Sequence, residues 1–291
     1  MNLSTWMRDI DDSRDVFGLN LVGTHDCVTQ YVQLSYFAKC QDKSIYEQLN
    51  MGIRCLDIRV KSNKNRLSMV HGICNTYNKA SRFSKRMDMA DVLTACYNFL
   101  SKNPSETIVF QFKNDSGREM EKCFDILYNE YISKNSDSWY LENRAPVLKD
   151  CRGKIVLIRR CKCFDNKPYS LGKGIDFSHW VEQDKPVPKP LVLTTGESGE
   201  ISFLIQDRFK YKPREKWDLC VKPMLDDDAC EHYKINYLST AGGLLGPYRN
   251  SQYINPKFME YELKDGKYYG ALYTDFPTAE LIKKVIKTNF C

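Results

Sequence analysis

The chain has 291 residues, a length at which one large barrel and two smaller domains are both common. Its 42% hydrophobic and 27% charged residues exclude a disordered chain, a collagen and a coiled-coil rod, and no apolar run approaches the roughly 18 residues of a membrane span. The formal net charge of +6 suits an anionic partner without identifying one, and no basic helix suggests nucleic-acid binding.

Short apolar runs predict eight strands, and several of these runs are continuous rather than alternating. Continuous runs are typical of strands that are buried on both faces in a parallel sheet. The predicted strands are Leu19 to Val22, Ile53 to Val60, Leu67 to Val70, Thr107 to Phe112, Ile155 to Ile158, Ile201 to Ile205, Ile235 to Leu238 and Gly270 to Tyr273.

Longer patterns between these runs predict helices over Ser44 to Asn50, Met87 to Ser101, Gly117 to Lys134 and Thr278 to Lys287. The second has apolar residues near a 3.6-residue period and is followed by Asn103-Pro104, which ends it. Strands that alternate with helices over this length favour an α/β barrel. No repeat or low-complexity linker divides the chain, so residues 1–291 are expected to form one domain.

Ionisable residues follow the apolar part of strand after strand. They are His25, Asp26, Asp57, Arg59, His71, Lys113, Asp115, Arg159, Arg160, Asp207 and Asp275. In a parallel barrel the carboxyl ends of the strands meet at one mouth, where active sites are built. Any one of these residues could simply belong to a polar loop, but the series as a whole predicts a charged pocket.

Several motifs occur in a fixed order along the chain. They are GTHD at 23–26, GIRCLDIR at 52–59, VHG at 70–72, NPSETI at 103–108, KIVLIRR at 154–160, YINP at 253–256 and YTDFP at 273–277. From about Trp6 to the last predicted helix, this series resembles the small bacterial type of the phosphatidylinositol-specific phospholipase C family. The resemblance implies an irregular TIM-type (β/α)8 barrel. It also implies cleavage of phosphatidylinositol to diacylglycerol and inositol 1,2-cyclic phosphate, with a slower hydrolysis of the cyclic phosphate as a possible second step.

The resemblance assigns proton transfer to two of the four histidines. His25 would be the general base, paired with Asp275, and His71 the general acid, paired with Asp26. Imidazole suits both tasks because its unperturbed pKa is about 6.5. Taken alone, Asp275 could lie in a surface turn and His71 could be a core histidine.

Arg59 would stabilise the phosphate, with Asp57 beside it as a structural or proton-network partner. Calcium-dependent relatives carry carboxylates in this region, whereas a guanidinium offers paired donors to phosphate without a metal. The resemblance therefore implies neither metal nor cofactor. The alternative for this pair is a surface ion pair.

The resemblance also implies an inositol-binding set of Lys113, Asp115, Arg160, Asp207 and Phe209, with Arg159 as an alternative to Arg160. Phe209 stands where the family often has Tyr, so a ring face is kept and one hydroxyl is lost. Asp115 stands where the family has Glu, and its reach is shorter.

A peripheral membrane contact is expected at the segment Ala241 to Pro247, where Leu244 and Leu245 could enter lipid and Tyr248 and Tyr253 could flank them. The alternative is a flexible turn whose leucines pack inward. The expected partner is phosphatidylinositol at a membrane surface, and the chain is expected to be a monomer. Free phosphatidylinositol and its glycosylated anchor form are both candidate substrates.

Two other functions compete with this one. A glycerophosphodiester phosphodiesterase would bind a divalent metal through an acidic E-x-D pair, against which Asp57-x-Arg59 argues. A non-catalytic phosphoinositide-binding barrel would not need an acid–base pair of histidines.

The 12 cysteines have no C-x-x-C pair and no zinc-finger spacing. Reduced core thiols are the favoured interpretation, and a secreted protein with up to six disulfides is the alternative. Residues 1–15 have neither the basic nor the apolar region of a signal peptide. We therefore expect a soluble protein that is either cytoplasmic or secreted with its leader removed.

Overall fold

The structure is a computed structural model that describes residues 1–81, 83–115, 122–163, 172–184, 190–196, 199–229 and 231–290. A mixed, curled sheet forms its centre. The described strands are β1 Leu21–Thr24, β2 Cys55–Asn63, β3 Arg66–His71, β4 Cys74–Asn75, β5 Ile108–Asn114, β6 Trp139–Tyr140, β7 Ile155–Arg159, β8 Ile175–Asp176, β9 Leu191–Thr195, β10 Ile201–Gln206, β11 Tyr233–Tyr237 and β12 Ala271–Thr274.

Helices surround this sheet. The described helices are α1 Ser35–Ala38, α2 Ile45–Asn50, α3 Met89–Lys102, α4 Cys123–Leu127, α5 Leu148–Cys151, α6 Pro213–Lys216, α7 Lys222–Asp226, α8 Pro247–Glu260 and α9 Ala279–Lys287. Irregular helical turns extend two of them, because π-helical segments follow α4 at Tyr128–Ile132 and α6 at Trp217–Val221. Within the described residues, no helix combines the length and the apolarity needed to cross a bilayer.

Eight strands form a parallel series in the order β8-β7-β5-β2-β1-β12-β11-β10, and the two-residue β6 also pairs in parallel with the first part of β7. Strand β1 pairs with β2 on one side and with β12 on the other, so the first and last parallel strands are neighbours. The apolar runs are buried as expected, and every residue of β7 is buried. This architecture confirms the irregular TIM-type barrel predicted from the sequence.

The barrel is open between β8 and β10, since the described residues contain no pairing between these two strands. On this side, β10 instead pairs with the antiparallel strand β9 from Ile201 to Ile205. Beyond that point the side chain of Gln183 donates to the Ile205 carbonyl oxygen at 3.0 Å and accepts from the Asp207 N–H at 3.1 Å. Side-chain hydrogen bonds thus replace strand pairing at this seam.

One predicted strand has a different role from the one expected. The run Leu67 to Val70 lies in β3, which is antiparallel to β2 and forms a hairpin with it, so it is not a barrel strand. The missing parallel strand is the two-residue β8, which is too short to give a sequence pattern. The expectation of a single domain remains a prediction.

The helices predicted over Ser44 to Asn50, Met87 to Ser101 and Thr278 to Lys287 are confirmed as α2, α3 and α9, whereas no helix is predicted over the residues of α8. Gly246 and Pro247 read as turn residues, yet Gly246 is the N-cap of α8 and Pro247 occupies its first turn, while Pro256 lies inside the helix. Of the helix predicted over 117–134, the structure describes the part from residue 122 onward, as α4 and the irregular turns after it.

Ten cysteines fall in the described ranges, and none of them forms a disulfide. Nine of the ten are buried, and Cys163 is partly exposed. For these residues the interpretation as reduced core thiols agrees with the structure.

Candidate active site

The carboxyl ends of the parallel strands surround a cavity of about 480 Å³. Most of the predicted site residues line it: His25, Arg59, His71, Lys113, Asp115, Asp207, Phe209, Leu244, Leu245 and Asp275. Asp26 and Asp57 lie behind this wall with fully buried side chains. The strand-end pattern therefore does describe one pocket.

His25 and Asp275 follow two adjacent strands, since Thr24 of β1 is in register with Thr274 of β12. His25 Nδ1 lies 2.8 Å from Asp275 Oδ1. The Gln41 amide donates to the carbonyl oxygens of both His25 and Thr274 at 2.9 Å and so holds the two strand ends together. Burial, reinforced by the charges of Arg59 and His71, lowers the pKa of His25 well below its usual value, which favours the neutral ring.

His71 reaches the same cavity from the end of the β3 hairpin. Its Nδ1 lies 2.8 Å from the Ala38 carbonyl oxygen and 3.3 Å from Asp26 Oδ2. The rings of His25 and His71 face each other with centroids 6.1 Å apart and planes at 87°. A small group bound between them would contact both imidazoles.

Asp26 is held in the left-handed backbone region, with φ of 45°, which directs its carboxylate behind His71. Burial raises the pKa of Asp26 to about 6, although His71 and Arg59 oppose this shift. Its backbone N–H donates to Asp57 Oδ2 at 3.3 Å. The two carboxylates therefore belong to one connected network.

Arg59 and Asp57 are two residues apart on β2, so their side chains share one face of the strand. Nε and Nη2 of Arg59 both donate to Asp57 Oδ2, at 3.1 and 3.0 Å. Burial disfavours the guanidinium charge, but Asp57, Asp26 and Asp115 together outweigh it and raise the pKa of Arg59. The guanidinium is a fixed cation whose side chain is 11% exposed, which distinguishes it from a surface ion pair.

Lys113 lies beside Arg59 because β2 and β5 pair them in register. Its Nζ lies 3.4 Å from Asp115 Oδ1 and 2.9 Å from Glu182 Oε1. Asp115 Oδ2 accepts the backbone N–H of Gly72 at 2.6 Å, so this carboxylate also supports the turn that follows His71. Burial would raise the pKa of Asp115, but Arg59 and Lys113 lower it to about 2.

The structure separates the two neighbouring arginines. Arg159 points away from the cavity, with Nη2 2.9 Å from Asp176 Oδ2 and its guanidinium over the Phe124 ring. Arg160 stacks on Trp180 at 3.7 Å, and its buried Nε and Nη1 have no hydrogen-bond partner. Its Nη2 is 3.5 Å from the cavity residue Glu182, so Arg160 is the arginine placed near the pocket.

Asp207 closes the cavity at the end of β10. Burial raises its pKa, although Arg160 and the fully buried Lys216 oppose this. Phe209 lines the pocket with its ring, and the Lys210 ammonium lies 5.5 Å from the centre of that ring.

The rim of the cavity is apolar and exposed. Leu244 is 94% and Leu245 49% exposed, which contradicts the alternative that these leucines pack inward. Helix α1 adds Tyr36 and Phe37, which is 67% exposed and lines the cavity. Of the predicted flanking residues, Tyr248 is more exposed than Tyr253 and packs against Phe276.

Several residues of the pocket were not predicted from the sequence. Glu182 and Trp180 lie in a segment between β8 and β9 that carries no strand or helix pattern, and Phe37 lies in a four-residue helix. Cys40 lies behind the two histidines, with Sγ 3.8 Å from His71 Nδ1. Local sequence gives no signal for these positions, because only the fold brings them to the mouth.

Comparisons with known proteins agree with the motifs. Residues 25–161 match the model of the phosphatidylinositol-specific phospholipase C X domain. The chain is 28% identical over 281 residues to the 1-phosphatidylinositol phosphodiesterase of Staphylococcus aureus (strain Newman), covering 90% of this chain and 84% of that protein.

Two solved structures share the fold. A pentafluorophenylalanine-containing phosphatidylinositol-specific phospholipase C from Staphylococcus aureus has a TM-score of 0.83 at 24% identity, covering 100% of this chain and 98% of the other. The phosphatidylinositol-specific phospholipase C of Listeria monocytogenes has a TM-score of 0.70 at 24% identity and full coverage of both chains. The resemblance predicted from the motifs is confirmed.

Proposed function

We infer that the chain is a phosphatidylinositol-specific phospholipase C of the bacterial type, an enzyme that cleaves phosphatidylinositol on the diacylglycerol side of its phosphate. One observation carries this inference beyond the sequence match. Two histidine–carboxylate pairs face each other across a cavity that also contains a buried arginine. This set contains a base, an acid and an anion-stabilising cation, which are the groups that a phosphodiester transfer needs.

We propose that the inositol 2-hydroxyl attacks the phosphorus. His25 removes the hydroxyl proton as the new P–O bond forms, and His71 donates a proton to the glycerol oxygen as the old P–O bond breaks. The products are inositol 1,2-cyclic phosphate and diacylglycerol. The lowered pKa of His25 supports its role as base, because an unprotonated ring is needed at the start of the reaction.

The carboxylates would hold each ring in one tautomer. Asp275 binds Nδ1 of His25, and the Ala38 carbonyl oxygen and Asp26 lie next to Nδ1 of His71. In both rings Nε2 is then the atom left to exchange a proton with substrate. Each carboxylate also stabilises the imidazolium that forms during the reaction.

Arg59 is the proposed phosphate ligand. Its Nη1 has only distant carboxylate neighbours, 3.8 Å from Asp26 and 3.9 Å from Asp115, so it is the part of the guanidinium best placed to contact an anion. Removing one such preorganised donor typically costs a factor of about 10²–10³ in rate. A permanently charged guanidinium in this position supports a reaction that needs no metal.

Lys113, Asp115, Arg160 and Asp207 are the proposed inositol ligands, with Phe209 stacking on the ring of the sugar. Lys113, Asp115, Asp207 and Phe209 line the pocket, and Arg160 adjoins it through Glu182. The leucines Leu244 and Leu245, together with Phe37, would contact the lipid surface and leave the headgroup pointing inward. Large exposed apolar side chains around a polar cavity are typical of such a surface.

The reaction is tested by incubating the protein with phosphatidylinositol micelles in excess EDTA and following the product by phosphorus NMR. We expect the cyclic phosphate signal to grow as fast in EDTA as it does without EDTA. A product that forms only after calcium or magnesium is restored would refute the metal-free mechanism.

The roles of the two histidines are tested by His25→Ala and His71→Ala. Each variant should lower kcat by at least about 10²-fold, the range of a lost general acid or base. His232→Ala is the control and should retain the rate, because this half-buried histidine contacts Ser202 and does not line the cavity. Near-normal turnover in either site variant would refute the role assigned to that histidine.

A further inference from the structure

A cysteine lies between the two histidine–carboxylate pairs, and the proposed reaction does not use it. The Cys40 thiol is fully buried and donates to the Ala38 carbonyl oxygen at 3.7 Å, and its sulfur lies within 4.8 Å of the His25 and Asp275 ligand atoms of the first pair. Its Sγ is 3.8 Å from His71 Nδ1 of the second pair. Cys40 is held there by its backbone N–H, which donates to Thr29 Oγ1 at 2.9 Å.

The carboxylate of Asp26 adjoins this thiol and lacks hydrogen bonds. Asp26 is 0% exposed, and neither of its carboxylate oxygens has a hydrogen-bond partner among the residues that the structure describes. Its closest charged neighbour is the His71 ring at 3.3 Å. A buried carboxylate whose oxygens accept no hydrogen bonds is unusual, and its oxygen lone pairs are available to bind a cation.

We propose that Asp26, Cys40 and His71 form a binding site for a thiophilic divalent cation such as Zn²⁺, and that the bound ion inhibits the enzyme. The three ligand atoms lie within 4.8 Å of one another. The distances of 3.3 Å from His71 Nδ1 to Asp26 Oδ2 and 3.8 Å to Cys40 Sγ match the edges of a tetrahedron around zinc. One thiolate, one imidazole and one carboxylate form a ligand set that zinc commonly takes.

The charges around the site select the kind of ion. A thiolate and a carboxylate together balance a divalent cation, but Arg59 lies 3.8 Å from Asp26 and opposes any second cation. Hard ions such as Mg²⁺ and Ca²⁺ gain little from sulfur and prefer more oxygen ligands than this site has. Zn²⁺ and Cd²⁺ gain enough from the thiolate to overcome the arginine.

Binding has a defined proton balance. The Cys40 thiol releases its proton to solvent as the metal–sulfur bond forms. His71 in its acid form also releases to solvent the Nδ1 proton, which faces the Ala38 carbonyl oxygen, and it keeps the proton on Nε2 as the metal binds Nδ1. A metal-bound ring cannot also become an imidazolium, so His71 loses the acid form that the proposed function requires.

Inhibition rests on the proposed function, but metal binding can be measured without it. The intact protein is titrated with Cd²⁺ alone, and binding is followed by the ultraviolet thiolate-to-cadmium absorption and by calorimetry. We expect one equivalent to bind with that absorption. Cys40→Ser keeps a hydroxyl donor for the Ala38 carbonyl oxygen but has no thiolate, and should lose the absorption and bind at least tenfold more weakly.

Cys151→Ser is the matched control, because Cys151 is a buried thiol in α5 at the opposite end of the barrel. It should bind cadmium as the unchanged protein does. Absence of the absorption in the unchanged protein, or its persistence in Cys40→Ser, would overturn the proposed site.

The second measurement follows phosphatidylinositol cleavage by the unchanged protein as Zn²⁺ is added. We expect more than 90% loss of activity at saturation, full recovery with EDTA, and no inhibition by Mg²⁺ at the same concentration. If activity persists while the cadmium site is occupied, the inhibitory role is wrong. If the metal-free protein does not cleave the lipid at all, the proposed function is wrong and the binding result still decides the site.

Discussion

At the scale of single residues, the site combines charged groups whose burial has an unfavourable free energy. Asp26 is the clearest case, since it is ionised beside Arg59 and His71 yet lies in a fully buried position. Its pKa is raised from 3.8 to about 6, so the folded protein holds its proton over a pH range in which the unfolded chain has already released it. Stability should therefore fall as pH rises through that range.

This leads to a prediction for Asp26→Asn, a substitution that suits the positive φ of 45° because Asn tolerates the left-handed region. Above pH 6 the variant avoids the ionised carboxylate and should be more stable by about 3 kcal/mol. The gain should shrink as pH falls from 6 towards 4. Thermal unfolding at pH 8, 6 and 5 measures it.

Asp265→Asn, at an exposed carboxyl, is the control and should show no such pH dependence. A stability difference for Asp26→Asn that is the same at pH 8 and pH 5 would contradict the prediction. The variant should also lose phosphatidylinositol cleavage, because His71 loses its charged partner.

Some residues of the candidate site were predicted from the sequence and others were not. His25, Arg59, His71 and Asp275 were found because each stands in a short motif at the end of an apolar run. Cys40 and Glu182 were missed, because they lie in segments without periodicity and meet the site only after the barrel has formed. A motif identifies groups that are close in sequence, whereas the wall of a pocket is assembled from distant loops.

At the scale of secondary-structure elements, helix α8 supports the last strand. The Asn255 side chain donates to the carbonyl oxygens of Asp275 at 2.9 Å and Phe276 at 3.2 Å, and accepts from Thr274 Oγ1 at 3.1 Å. Phe276 is itself held at a φ of 47°. The Asn255 amide therefore supports the backbone that carries the partner of His25, in addition to the Gln41 amide bound to Thr274.

We predict that Asn255→Ala lowers kcat about tenfold with little change in KM, because Asp275 moves relative to His25 while the inositol ligands stay in place. The lost hydrogen bonds to buried carbonyls should also lower the free energy of unfolding by about 1–3 kcal/mol. Steady-state kinetics and denaturant unfolding measure the two effects.

Asn250→Ala provides a comparison from the same helix, since its amide donates to the carbonyl oxygens of Thr240 and Leu245 in the rim segment. It should show a similar loss of stability and a much smaller loss of kcat. Equal effects of the two variants on kcat would mean that Asn255 acts only through general stability.

The same helix shows where prediction from sequence fails. Continuous apolar runs identified the long parallel strands, because burial on both faces leaves a simple pattern. Helix α8 was not predicted because it contains Pro247 and Pro256. Proline occurs in turns as well as in the first turn of helices, and the sequence alone does not distinguish the two. The hairpin role of β3 was hidden as well, because a run of apolar residues does not reveal the direction of its partner.

At the scale of the whole molecule, the polar cavity and its apolar rim have separate tasks. Leu244→Asp should weaken binding to phosphatidylinositol vesicles at least about tenfold, because a charge placed in the interface opposes insertion. Hydrolysis of soluble inositol 1,2-cyclic phosphate should be unchanged. Vesicle sedimentation and assays with the two substrates separate these effects.

Met259→Asp is the matched control, since Met259 is a partly exposed apolar residue at the far end of α8 from the mouth. It should leave both binding and hydrolysis unchanged. If Leu244→Asp impaired the soluble reaction as much as the vesicle reaction, the leucine would belong to the substrate pocket rather than to a membrane contact.

The pairing of β1 with β12 has a consequence for synthesis of the protein. His25 is made early and its carboxylate partner Asp275 about 250 residues later, so a nascent chain holds the base long before it holds the group that orients it. A chain that stops before β12 would contain the proposed base, acid and arginine but would lack the carboxylate that contacts His25. We therefore expect the proposed lipid-cleaving activity to appear only once the last strand has been added.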